Sequence, residues 1–301
     1  MLIPLLRSMR LRTLPLSLAG VACGGVLGYG HGCGPLWDGS PMRGGWTLAF
    51  LFLTTACLQI LTNLSNEMGD YRSGVDTADR QGPHYSLAGG HLTERQMWRA
   101  INAMVVLCCL FGFAMVLCSF GSLLHSWAPR LLIVLGAMAV WAATHYTLGA
   151  KPYGYRGLGD IAVFIFFGLV SVLGAYYVLT HRFDLPLLWP AIGMGLLSVG
   201  VLNVNNVRDM ESDAGIRRTI PLRVGEKPAK VYQFLLVIVG FACFVLTCKI
   251  TWLMVIPAPL FGLHLFRVRT CHGRDLDSAL PLLVITTALT AILYTVANYG
   301  L

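Results

Sequence analysis

Apolar residues fall into nine long blocks, at about 13–31, 46–66, 97–120, 131–147, 159–180, 186–206, 231–248, 250–266 and 279–299, separated by short polar segments. A hydrocarbon core about 30 Å thick is crossed by roughly 20 apolar residues in a helix, and each block comes close to that length. None shows the period-two alternation of a membrane strand, and backbone polar groups in lipid must be paired within their own segment, so the blocks predict helices. The seventh and eighth blocks run together except for Lys249, which predicts a tight hairpin, while Pro257 and Pro259 predict a kink within the eighth. The opening MLIPLLRSMRLRTLPLSLAG lacks a small-residue cleavage site and reads as a retained first helix behind a short basic anchor.

Composition agrees. Of 301 residues, 56% are hydrophobic and 12% charged, with a mean hydropathy of +0.67. A soluble domain carries about twice that charge fraction, and disordered or collagen-like chains are excluded by the same figures. The nine cysteines lie mostly inside apolar blocks with no C-x-x-C pair and read as small buried hydrophobes. The expected architecture is an all-α integral membrane protein of about nine transmembrane helices. It forms one polytopic domain over residues 1–301, built of two loosely repeated halves and surrounded by membrane lipid.

The net charge of +8 is informative through its placement. Basic residues sit in short loops and form no surface stripe, which argues against nucleic acid as a partner. With the N-terminus on the cytoplasmic side, 18 of the 22 basic residues face that side, and only Arg43, Arg130, Arg182 and Lys249 face the other. The acids divide the same way, 12 of 14, although no orientation rule requires it. Seven of those 12 occupy two short stretches: Glu67, Asp70, Asp76 and Asp79 after the second block, and Asp209, Glu211 and Asp213 after the sixth.

These stretches read NLSNEMGDYRSGVDTADRQGP from residue 63 and NVNNVRDMESDAGIRRTIPLRVG from residue 203. Asn66 and Asp70 are four apart, as are Asn205, Asp209 and Asp213 in succession, a spacing that stacks side chains on one helix face. Carboxylates and amide oxygens are hard ligands, and several acids held together need cations to neutralise them. An open array of this kind suits Mg²⁺, which keeps several waters and shares substrate phosphates, whereas zinc would call for His and Cys. Arg72, Arg80, Arg208, Arg217, Arg218, Arg223 and Lys227 are interleaved with the acids and suited to phosphate oxygens. Acids for a metal beside bases for an anion make a diphosphate site. The plainer reading, hydrated loops whose charges pair with one another, fits any single residue better than it fits two motifs repeating one arrangement. Thr93 with Gln96 forms a capping box at the start of the third block. A further loop, YTLGAKPYGYRGLGD from Tyr146 to Asp160, adds Lys151, Arg156 and several tyrosines, with Asp160 read as a helix cap.

Together the loops at about 66–96, 148–158 and 207–230 resemble those of the UbiA superfamily of intramembrane prenyltransferases, most of all its naphthoate branch. Asn66, Asp70, Gly74 and Asp76 match the branch's first motif in order, followed by Arg80, Gly82 and Pro83. Asn205, Asn206, Arg208, Asp209 and Asp213 match the second, and KPYGYRGLGD from Lys151 to Asp160 matches the most branch-specific of the three. Glu67 stands where the family has Asp, and a longer acid implies a shifted metal ligand.

The resemblance implies a UbiA-like bundle in the inner membrane of a bacterium, with the active site facing the cytoplasm. It further implies Mg²⁺-dependent transfer of a polyprenyl group from polyprenyl diphosphate to 1,4-dihydroxy-2-naphthoate, releasing CO₂ and diphosphate and giving demethylmenaquinone. Carried over residue by residue, it assigns Asn66, Asp70, Asp209 and Asp213 to the metal. Arg80, Arg208, Arg218 and Lys151 fall to the diphosphate, Asp76 and Asn206 are secondary ligands, and Tyr153 and Tyr155 line the acceptor pocket. A member with another acceptor (4-hydroxybenzoate, homogentisate, a chlorin or haem) and a secondary transporter with paired half-helix motifs remain open alternatives.

Overall fold

The computed structural model describes residues 2–31, 41–74, 86–124 and 126–299, apart from the side chains of Leu2 and Pro41. Within them the chain is helical and contains no strand. Among the described residues, nine helical stretches are long and apolar enough to cross a membrane. We number the main helix of each stretch α1 (Leu14–Gly30), α2 (Pro41–Ser73), α3 (Glu94–Phe120), α4 (Trp127–His145), α5 (Gly159–Thr180), α6 (Leu188–Arg208), α7 (Glu226–Thr247), α8 (Ala258–Thr270) and α9 (Ala279–Asn298), the stretches of α1, α6, α8 and α9 being lengthened by short turns or helices before them. A short helix, Leu2–Ser8, leads into α1 through a turn at Arg10, whose φ is +47°.

Local chemistry sets most of the ends. At α3 the capping box is present: the Gln96 amide donates to Thr93 Oγ1, and the Thr93 amide donates to Gln96 Oε1. The hairpin expected at Lys249 follows the end of α7 at Thr247. Pro257 and Pro259 do not kink a helix interior as expected. A tight 3₁₀ turn covers Thr251–Val255, and the prolines then open α8, Pro257 as the residue before the first turn and Pro259 within it. At those positions proline's missing N–H costs nothing.

Two departures from the block pattern matter for the site. Helix α2 is 33 residues long and so spans about 50 Å, well beyond a 30 Å hydrocarbon core. Its polar end, Asn66 to Ser73, continues the helix after hydropathy has stopped marking it. Within α5, residues Phe164–Gly174 follow the wider π winding, which apolar periodicity does not reveal.

Close helix crossings depend on small residues, as expected where lipid offers no hydrophobic drive for association. A Cβ on Gly24 of α1 would overlap the Val172 carbonyl of α5, and one on Gly168 of α5 would stand 2.6 Å from the Ala191 carbonyl of α6. A large apolar core joins α1, α5, α6, α7, α8 and α9 around Met194, Leu197, Phe244 and Leu283. A second core packs α2 against α3 around Leu61, Leu64, Met68 and Met97. Polar side chains inside the bundle are tied to one another: Asn203 donates to Gln233 Oε1 and the Ala229 carbonyl, and Gln233 meets His264 Nε2 at 3.0 Å.

Candidate active site

The ends of α2 and α6, the loop from Tyr146 to Leu158 and the segment from Asp209 to Gly225 meet at one end of the bundle. The decisive link is Arg217. Its guanidinium pairs with Asp70 at the end of α2 and lies 3.5 Å from Asp213, four residues earlier on its own segment. Asp70 and Asp213 are both buried, at 2% and 1% exposure. The carboxylate-rich ends from the two motifs therefore converge on one cation, 147 residues apart in sequence for the Asp70–Arg217 pair.

Tyr155 completes this cluster. Its hydroxyl donates to the same Asp70 Oδ1 at 2.7 Å and lies 3.0 Å from Ser73 Oγ, while the Arg217 guanidinium carbon sits 4.8 Å from the ring centroid. Burial, followed by the Asp70 charge, pushes the Tyr155 phenol up to about 12. The loop is held in place by its backbone. The Arg218 amide donates to the Tyr155 carbonyl at 3.0 Å, and the Gly154 amide to the Tyr146 carbonyl at 2.9 Å. Gly157 has φ +86°, and a side chain there would also strike the Arg218 carbonyl, so this position requires glycine. Tyr153 turns the other way: its hydroxyl donates to the Ala142 carbonyl at the end of α4, and its ring meets Tyr146 edge-on at 5.3 Å.

A second ion group lies at the end of α6. Arg208, 2% exposed, donates from Nε and Nη2 to the two oxygens of Asp209 at 2.8 and 2.7 Å. It also reaches Asn205 Oδ1 at 2.6 Å and Asp277 in the loop before α9. Asn206 on the same helix is also buried, and Asn66 Oδ1 accepts from Thr147 Oγ1 at 3.1 Å. Lys151 and Arg218 are exposed, and with Pro152, Tyr155, Arg156 and Ile216 they line an open cleft of about 450 Å³. Asp76 and Arg80 lie outside the described residues.

Glu67, one residue beyond Asn66, is fully buried and bonds to the segment before α3 rather than to Arg217. Its Oε1 accepts from the Leu87 amide at 3.0 Å, and Oε2 has no hydrogen-bond partner among the described residues. Asp160 does not cap α5; it lies in the first turn and accepts from the Tyr232 hydroxyl at 3.1 Å. Sequence reasoning named Arg217 only as one of several interleaved bases. What sets it apart is that i, i+4 spacing from Asp213 brings it to the acid end of α2, a relation the sequence contains only in part.

Asp70, Asp209 and Asp213 are hard oxygen donors, buried where charge must be balanced, and in this structure arginines balance it. Among the described residues no three Asp, Glu, His or Cys side chains come together as a ready metal cage; Mg²⁺, which is held by one or two carboxylates plus substrate phosphates, fits Asp70 and Asp213, the pair that Arg217 joins.

The model of the UbiA prenyltransferase family matches residues 18–283. The chain belongs to this family. Among its UbiA relatives, the 1,4-dihydroxy-2-naphthoate octaprenyltransferase of Haemophilus influenzae is 38% identical over 85% of this chain and 82% of its own length. The Escherichia coli enzyme of the same name is also 38% identical, over 85% and 81%, and that of Mycobacterium tuberculosis 36%, over 91% of each. The fold matches a UbiA homologue of Aeropyrum pernix with TM-score 0.65 and 16% identity, covering 96% of this chain and 97% of the other. It also matches an Archaeoglobus fulgidus UbiA homologue bound to GPP and Mg²⁺, with TM-score 0.63 and 16% identity over 99% and 100%.

Proposed function

We propose that this UbiA protein transfers a polyprenyl group from a polyprenyl diphosphate to 1,4-dihydroxy-2-naphthoate, with Mg²⁺ as cofactor and loss of CO₂ and diphosphate. The observation that carries the reading is the Asp70–Arg217–Asp213 link, which joins the two acidic motifs in one buried site. Similarity over most of the chain to enzymes named for this naphthoate favours it over other aromatic acceptors and over transport.

Asn66, Asp70, Asp209 and Asp213 would hold the metal, with Asp76 in support. Mg²⁺ bound there supplies positive charge against the diphosphate oxygens as the allylic C–O bond breaks. Arg218 and Lys151 at the cleft, with Arg80, take the diphosphate oxygens. Arg208 holds Asp209 in a fixed orientation through its two parallel hydrogen bonds, and Asn206 is buried on the same helix. Charged groups held in place when the bond breaks stabilise the developing negative charge without reorganising at that moment.

The helices keep water from the allylic cation while the π face of Tyr155 lines the acceptor side, contributing about 2 kcal/mol to a desolvated cation; Tyr153, tied to α4 and Tyr146, braces the loop that carries Tyr155. The ring carbon then forms its bond to the allylic carbon, and the ring carboxylate leaves as CO₂. The motif end faces the cytoplasm of a bacterium, in agreement with its 18 basic residues. Residues 1–301 act as a single membrane domain whose halves each contribute one motif.

Purified protein given Mg²⁺, dihydroxynaphthoate and a long prenyl diphosphate is expected to yield a prenylated naphthol, detected by mass, together with CO₂. Turnover with 4-hydroxybenzoate and none with the naphthoate would overturn the choice of acceptor.

A further inference from the structure

Arg217 occupies three places that a loaded site would need. It neutralises Asp70 on α2, it neutralises Asp213 on its own segment, and its guanidinium covers one face of the Tyr155 ring. Its side chain is 12% exposed, whereas the neighbouring Arg218 is open to solvent. An arginine side chain does not lose its proton in a protein. Its charge is therefore permanent, and it can leave the two carboxylates only by moving.

We infer that Arg217 is an internal counter-ion to Asp70 and Asp213, and that it swings from them to the prenyl diphosphate when metal and substrate load. Asp213 sits in the short helix Met210–Asp213, and Arg217 follows Gly215, whose φ is +82°. The arginine is thus carried on a turn rather than locked in a long helix. A guanidinium prefers the doubly charged oxygens of a diphosphate, which it grips bidentately, once a divalent cation has taken over the carboxylates. One movement then releases two metal ligands, supplies a cation to the leaving group and uncovers the Tyr155 face on the acceptor side. Metal binding without diphosphate is opposed, because the carboxylates are engaged for most of the time and the apparent affinity falls with the free fraction.

The inference rests on the diphosphate-metal reading above, and the test separates the two. Mn²⁺, a paramagnetic probe, is titrated into detergent-purified protein without substrate and followed by the EPR signal of the free ion. Wild type is expected to bind weakly and Arg217→Gln about tenfold more tightly, with Arg217→Lys between them, because one ammonium cannot bridge two carboxylates as a guanidinium fork does. With Mg²⁺ present, affinity for a non-reactive prenyl thiolodiphosphate is expected to fall at least about tenfold in Arg217→Gln, one lost charge-assisted contact. Equal or weaker Mn²⁺ binding in whichever variant folds overturns the counter-ion role even if Asp70→Ala abolishes binding, in which case the metal site itself stands. No Mn²⁺ binding to any form, with or without the thiolodiphosphate, sinks both.

Discussion

Arg208 and Asp209, adjacent in sequence, face one another through two parallel hydrogen bonds of 2.8 and 2.7 Å at the buried end of α6. The pairing fixes both oxygens of a proposed metal ligand and engages an arginine that sequence alone assigned to the diphosphate. Replacing Arg208 by Ala takes the guanidinium away from the buried Asp209 carboxylate, and loss of one partner of a buried pair costs about 3–5 kcal/mol. Arg208→Ala is expected to lower thermal stability in detergent markedly. Arg208→Lys should fold better yet lose turnover, because an ammonium cannot hold both oxygens. A stable, fully active Arg208→Ala protein would refute the positioning role.

Asp70→Ala is expected to reduce turnover by at least about 10²-fold, the loss seen when one preorganised electrostatic group is removed. The protein should still elute as a single species on size exclusion. Near-normal rates would remove Asp70 from the site.

Tyr155→Phe keeps the ring beneath Arg217 and deletes the hydroxyl that donates to Asp70 and meets Ser73 Oγ. A hydrogen bond to a charged group contributes about 1.5–3 kcal/mol, so kcat should fall roughly 10- to 100-fold while prenyl diphosphate binding changes little. Because the phenol is pushed up to about 12, no loss of wild-type activity attributable to its ionisation is expected below pH 10. A pH–rate series on both proteins checks each statement.

Gly69 lies one residue before Asp70, and a Cβ there would stand 2.6 Å from both the carbonyl oxygen and Cβ of Thr147. Gly69→Ala must push α2 away from the loop carrying Tyr155, an overpacking cost of about 1–3 kcal/mol. The expected result is a lowered melting temperature and weakened activity. Gly45, with nothing near its Cβ position, provides the control, and Gly45→Ala should change neither.

His181 caps the opposite end of the bundle. Its Nε2 lies 2.9 Å from Ser119 Oγ, whose proton goes to the Val178 carbonyl, so Nε2 donates and Nδ1 is left buried without a hydrogen bond among the described residues. Burial, then Arg43, lowers its pKa below the ordinary value of 6.5. The unfolded chain therefore takes up a proton before the folded one does. The stabilisation is complete above about pH 6.5 and shrinks as pH falls below it. Thermal melts from pH 7.5 to 5 should show a drop that is smaller in His181→Asn, a residue that tolerates this positive φ of 54°.

Much of this was readable in the sequence because the bilayer imposes a strong rule: long apolar runs must be helices. The two acidic motifs were equally visible as charge that orientation does not require. The partners of the arginines were not. Arg208 and Arg217 occur in similar local contexts, yet one grips its neighbour and the other reaches across to α2, a difference decided by where α2 ends in space. Its polar end, 67–73, carries no hydropathy signal, and the π winding of α5 leaves no periodicity to detect. The buried link from Asn203 through Gln233 to His264 joins residues 30 and 31 positions apart, which no local pattern connects. Glu67 turned out to serve the Leu87 amide because its neighbour in space, the segment before α3, is separated from it by 20 residues.

Asp70 stands on the polar end of α2, directly after the apolar stretch of that helix, which places it next to the membrane surface rather than far out in water. An isoprenoid donor can therefore slide in laterally from the leaflet while its tail remains solvated by acyl chains. Turnover in vesicles should then follow the donor's mole fraction in the membrane, so that adding inert phospholipid slows the reaction at a fixed bulk concentration.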